Sequence, residues 1–265
     1  ARLAVDAPHL YEVHDMLGTL RLMQREWRRP GRNAAYDPGE AVKDFRRAID
    51  LQPRDANLWN FLGIALLETG ERGKADEAFV RAIELRPSFG SAWHNRTMIL
   101  GVAGKLDEAG RMAQKCIDVA PEEDFGSVDL AMVRHEQGGE AEAERLLRGL
   151  LDRLPDSANG WKLLGAICSK DGRFEEALRA MDRAIALAPD DSKTRRDRGA
   201  VHRQTGHTAE ALEDFRSAYG MGYTEARSWV ACCLDELGRT REAVDEMEGY
   251  LKEAPADEAA EVRGL

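Results

Sequence analysis

Pro53, Pro87, Pro121, Pro155 and Pro189 stand 34 residues apart, and Gly70, Gly104, Gly138, Gly172 and Gly206 keep the same step. A fixed period of this size means that one structural unit has been copied along the chain. Each copy touches only its neighbours, so the fold is restricted to a quasi-one-dimensional array with an extended surface.

Aligned on the prolines, further columns emerge. One unit reads Trp59-x2-Leu62-Gly63-x2-Leu66, then Gly70, then Ala75-x3-Phe79-x2-Ala82, then Pro87. Another reads Trp161-x2-Leu164-Gly165-x2-Cys168, Gly172, Ala177-x3-Met181-x2-Ala184 and Pro189. Apolar residues at steps of three and four predict two amphipathic helices per unit. The central glycine supplies the left-handed turn that ends the first helix. The proline ends the second, because its ring cannot continue the hydrogen-bond ladder. Asp55, Ser88, Asp124, Ser157 and Asp191 are expected to cap the helix that follows. The small residues Gly63, Ala131, Gly165 and Gly199, and Ala75, Ala109, Ala143, Ala177 and Ala211, let helix backbones approach closely. Trp59, Trp93, Trp161 and Trp229 share one column and are expected to be largely buried.

These columns resemble the tetratricopeptide repeat, whose pattern is W-x2-L-G-x2-Y…A-x3-F…P, and the resemblance covers nearly the whole chain. It implies an all-α, right-handed superhelical solenoid of antiparallel helix pairs. Full units are expected at 56–89, 90–123, 124–157, 158–191 and 192–225, with a short unit at 226–257 where Tyr223 has replaced the sixth proline. Residues 11–55 read as a hairpin carrying an insertion, basic from Arg25 to Arg32, and 258–265 as a cap or truncated unit. Residues 1–10 read as the remnant of an upstream helix with Pro8 in the proline column. With no initiator Met, the chain is expected to be a piece of a longer array or protein.

A net charge of −10 argues against a nucleic-acid partner. No run of about 18 apolar residues exists, so no membrane insertion is expected. Cys116, Cys168, Cys232 and Cys233 fall in helix columns and are expected to be buried free thiols. No H-x3-H, HExxH, P-loop, G-x-S-x-G or G-x-G-x-x-G pattern occurs. The chain is therefore expected to hold no catalytic residue, no metal and no cofactor. The compartment is unknown from the residues; the cytoplasm is favoured, and the periplasm if a signal peptide has been removed.

The resemblance also implies which columns line a concave groove along the first helices. In the N-terminal half these positions carry Met16, Leu22, Met23, Asn60, Phe61, Ile64, Leu67, His94, Asn95, Met98, Phe125, Asp129 and Met132. In the C-terminal half they carry Lys162, Lys170, Lys193, Arg196, Arg203 and Arg227, with Asp197 among them. Met and aromatic side chains suit adaptable apolar contact, and Arg suits bidentate binding of acidic groups. The family's carboxylate clamp for chaperone C-termini is absent, because Lys162 is followed by Ala166 and Asp197 at its partner columns. Arg195 and Arg198 occupy apolar columns and are expected to pair with acids of the preceding helix such as Glu175 and Asp182.

These features point to a non-catalytic scaffold. Its expected partner is a protein or peptide segment, acidic or phosphorylated at one end. Two other readings stand beside it: the targeting arm of a larger enzyme such as a glycosyltransferase or kinase, and a self-associating assembly segment. The residues do not fix the oligomeric state.

Overall fold

The structure, a computed structural model, describes residues 37–253. Thirteen α-helices and no strand lie among the described residues. They are α1 (Pro38–Leu51), α2 (Ala56–Glu68), α3 (Arg72–Leu85), α4 (Gly90–Val102), α5 (Leu106–Val119), α6 (Phe125–Glu136), α7 (Glu140–Arg153), α8 (Ala158–Lys170), α9 (Phe174–Leu187), α10 (Ser192–Gln204), α11 (Thr208–Gly220), α12 (Ala226–Glu236) and α13 (Thr240–Glu253). The upstream remnant, the basic insertion, Met16, Leu22, Met23 and the terminal cap lie outside the described residues.

Packing divides the described residues into two compact units, 37–150 and 151–253. In the first, α2 pairs with α3 and α4 with α5; in the second, α8 pairs with α9, α10 with α11 and α12 with α13. Within each unit the second helix of a pair also packs on the first helix of the next, as α3 does on α4 and α11 on α12.

The turns follow from the period. Gly70, Gly104, Gly138, Gly172 and Gly206 all have φ between +71 and +82°, a region that disfavours any side chain. Gly238 has φ +75° and plays this part in the short unit. The close approach of paired helices is set by glycine as well. A Cβ on Gly63 would lie 2.5 Å from the Phe79 ring, and one on Gly165 would lie 2.8 Å from Met181. Phe79 is completely buried as a result.

The capping expectation holds in part. Asp55, Ser157 and Asp191 accept hydrogen bonds from backbone N–H groups of the first turn of the next helix. Ser88 does not cap α4, whose cap position is Phe89, and Asp124 stands at the cap of α6 without a side-chain cap bond.

The tryptophans are buried over most of their surface, as expected, without being fully enclosed. The indole Nε1 donates to the carbonyl of the repeat proline: Trp59 to Pro53 at 3.0 Å, Trp93 to Pro87 at 2.9 Å and Trp161 to Pro155 at 2.8 Å. Reaching a carbonyl in a surface turn keeps one edge of the ring in solvent. Arg195 occupies the same column and donates to the Pro189 carbonyl. Where Tyr223 has replaced the proline, Trp229 stacks on Tyr223 instead, centroids 5.9 Å apart.

Arg198, in an apolar column, is held by Asp182 at 2.6 Å and by Asp214, which is only 4% exposed. The expected pairing with an acid of the preceding helix forms for Arg198, with Asp182, but not for Arg195, which turns to the Pro189 carbonyl; the further partner of Arg198 is Asp214 of the following helix. Cys116, Cys168 and Cys233 are buried free thiols, whereas Cys232 is half-buried. Burial pushes the Cys116 thiol up to about 12 and the Cys233 thiol up to about 11, so neither is a thiolate at neutral pH.

Candidate protein-binding surfaces

In the first unit the groove columns of successive first helices meet as polar pairs. Asn95 Nδ2 on α4 donates to Asn60 Oδ1 on α2 at 2.9 Å, and Asn60 is 4% exposed. His94 Nδ1 lies 2.7 Å from Asp129 Oδ2 on α6, and Asp129 is 2% exposed. The His94 ring also lies against Phe125, with centroids 5.0 Å apart. Both hydrogen bonds join residues 35 positions apart, which is one repeat plus one residue. Burial opposes a charge on His94, yet the hydrogen bond and field of Asp129, with Asp124 and Glu123 beyond, outweigh it and raise the imidazole above its ordinary range. Burial likewise raises the Asp129 carboxyl, and His94 offsets this only in part.

The apolar groove residues divide into two sets. Phe61 stacks on the buried Phe45 at 5.6 Å, and Ile64 and Leu67 pack on the core of the same hairpins. Met98 and Met132 instead line an open cavity of about 340 Å³ between α4 and α6. Met98 remains 38% exposed and its neighbour Val102 65% exposed.

In the second unit three of the six expected basic positions are already hydrogen-bonded to a carboxylate. Lys162 Nζ lies 2.7 Å from Asp191, and Arg203 binds Glu236 through Nε at 2.8 Å and Nη2 at 2.7 Å. Arg227 donates to Glu246 at 2.9 Å and to the Tyr219 hydroxyl at 3.2 Å, and its side chain is 19% exposed. Lys170 and Lys193 are exposed. Burial makes ionisation of Asp191 harder, but Lys162 and Thr194 outweigh that and hold its carboxyl below the usual range.

Arg196 differs from these. Its buried Nε pairs with Asp197 Oδ1 as an ion pair at 3.0 Å but makes no hydrogen bond. The guanidinium carbon lies 5.6 Å from the Tyr223 ring centre and 5.9 Å from that of Trp229. Arg196 and Arg203, with Phe215, Trp229 and Glu236, wall a cavity of about 480 Å³. Burial raises the Asp197 carboxyl, and the cations Arg196 and Lys162 offset it only in part.

The groove columns do not include Phe215, Trp229 or Glu236. Glu236 carries a signal all the same, as an acid 33 positions after Arg203. In the first unit Glu136 lines the cavity of Met98 and Met132, and extending the thirteenth groove column to α6 finds it. Among the described residues no group of acidic, His and Cys side chains could hold a metal ion, and no helix is long and apolar enough to cross a membrane.

Paired helices repeated at a fixed period, with open cavities between them, define a helical repeat protein with interaction surfaces. Two family models, both described as tetratricopeptide repeat, match the chain, one at residues 34–88 and 128–192 and the other at 164–221. Together they cover more than half of it, and the chain belongs to the tetratricopeptide repeat family. Among solved structures it is similar to yeast Tom70, with TM-score 0.78 and 18% identity over 97% of this chain and 53% of that one. It is also similar to the APC/C hetero-tetramer Cut9–Hcn1, with TM-score 0.68 and 16% identity over 98% of this chain and 48% of that one. The chain thus spans about half the length of each, and at these identities the likeness is one of fold. No curated protein matches the chain in sequence.

Proposed function

We propose that this chain is a non-catalytic protein–protein interaction scaffold, and that the cavity walled by Arg196 and Arg203 receives an acidic segment of its partner. The observation that carries the reading is the Arg196 guanidinium, which is partly desolvated by two aromatic rings and has an Nε–H without a hydrogen-bond partner. An unsatisfied buried donor is costly, and a carboxylate or phosphate offers it a charge-assisted bond. Phe215 and Trp229 supply an apolar wall beside it. Glu236 holds Arg203 in place and has to be outcompeted or bridged by an incoming anion, which favours an acid bearing more than one oxygen. The family and the fold support the scaffold reading at the general level, and the cavity supports the acidic segment.

The test is capture of partners from the source cell with this chain as bait, followed by titration of the captured protein at several salt concentrations. Binding is expected to weaken with salt, since partly exposed charge pairs are screened. The pair Arg196→Glu and Arg203→Glu is expected to weaken it at least tenfold with the helical circular-dichroism signal intact. A partner indifferent to both ionic strength and the double reversal would refute the acidic segment.

A further inference from the structure

From the cavity between α4 and α6 we infer a second recognition site of the opposite sign, one that takes a lysine side chain of a partner protein. This deepens the scaffold reading and rests on it. The cavity holds about 340 Å³ and is walled mainly by hydrocarbon from Met98, Val102, Leu106, Met132 and Val133. Two of these walls stand open to solvent, Met98 at 38% and Val102 at 65% exposure. Exposed hydrocarbon on a concave surface gains by being covered.

Charge decides what covers it. The lining carries two carboxylates, Asp129 and Glu136, and no lysine or arginine. Asp129 is buried in the wall and tied to His94 at 2.7 Å. Glu136 is exposed at the last turn of α6 and makes no hydrogen bond or ion pair among the described residues. The helix C-terminus adds partial negative charge at the same place. An acidic or neutral occupant would leave Glu136 unanswered. A lysine suits both parts of the site, because its four-carbon stem can lie along the methionines while its ammonium reaches the rim. The adaptable thioethers of Met98 and Met132 fit a flexible stem.

The probes are three small molecules with the same six-carbon chain, namely hexylammonium, hexanol and hexanoate. Each is titrated into the full chain carrying ¹³C-methyl methionine. We expect hexylammonium to shift the Met98 and Met132 methyl signals in a saturable way. We expect it to bind about fivefold more tightly than hexanol, the upper end for a partly exposed ion pair, with hexanoate weakest. In Glu136→Gln the advantage over hexanol is expected to disappear while hexanol affinity stays unchanged. Absence of saturable shifts at these two methyls, equal binding of hexylammonium and hexanol, or an advantage that survives Glu136→Gln would each overturn the inference. None of these outcomes bears on capture of partners by the second unit, so the scaffold reading is judged separately.

Discussion

Arg198 grips Asp214 with two nitrogens, Nε at 2.9 Å and Nη2 at 2.6 Å, and the side chain of Asp214 is 6% exposed. A carboxylate so placed persists only with its cation, and removing one partner of a buried pair leaves the other charged in a poor medium. Arg198→Leu is therefore expected to destabilise the chain by about 3 kcal/mol. The double change Arg198→Leu with Asp214→Leu should recover most of that loss. Urea unfolding followed by circular dichroism reads both; equal stabilities of the single and double variants would show that the pair is not a buried unit.

Gly63 faces Phe79 so closely that a Cβ would lie 2.5 Å from the ring. Gly63→Ala should cost about 1–3 kcal/mol through overpacking. The unit 124–157 has Ala131 in the column of Gly63 and Leu147 in that of Phe79, both completely buried. Adding Phe79→Leu to Gly63→Ala is accordingly expected to restore part of the loss, measured as the shift in denaturation midpoint.

The indole of Trp161 donates to Pro155 O at 2.8 Å from a ring buried over most of its surface. Trp161→Phe keeps most of the ring and removes the hydrogen bond. A loss of about 1 kcal/mol is expected. Thermal melting of this variant beside Trp161→Ala separates the bond from the packing, and a melting point unchanged in both would show that the column contributes nothing.

His94 and Asp129 predict a pH dependence. The fold raises the His94 pKa, so its protonated form contributes stability. That contribution is fully present below the ordinary value, about 6.5, and is lost as pH rises through the folded value above it. Asp129 is raised as well, because burial disfavours its ionised form, and that penalty sets in as pH rises past the ordinary carboxylate range. Both effects make stability fall with rising pH, in two separate windows. Melting temperature measured between mildly acidic and mildly alkaline pH is expected to decline, and His94→Gln should flatten the upper window. A variant with the slope of the parent would place the titration elsewhere.

The thiols should be slow to react. Cys116 is pushed up to about 12 and Cys233 up to about 11, mainly by burial. With a disulfide reagent at pH 8 the native chain is expected to show one accessible thiol, the half-buried Cys232. All four should titrate in denaturant. Rapid native reaction of Cys116 would mean that the α4–α5 hairpin opens readily.

The sequence by itself determined the repeat. Turn glycines, closing prolines and small-residue columns recur because each unit must end its helices and pack its neighbour in the same way, and these are local demands that leave a periodic mark. It also marked Asp182, with Glu175, among the acids within reach of Arg195 and Arg198, since an arginine in an apolar column needs a nearby acid; only Arg198 takes one up, and it takes Asp182. The tertiary structure alone decided which groove residues stay available to a partner. Met98 and Phe61 occupy equivalent kinds of column, yet Phe61 stacks on Phe45 while Met98 lines an open cavity. Arg196 and Arg203 look alike along the chain, yet Arg203 is held by Glu236 and Arg196 retains an unsatisfied donor. The reason is physical. A helix period fixes the face on which a side chain lies, but its partners come from the next hairpin, some 33 to 35 residues away, and depend on the sizes and charges found there.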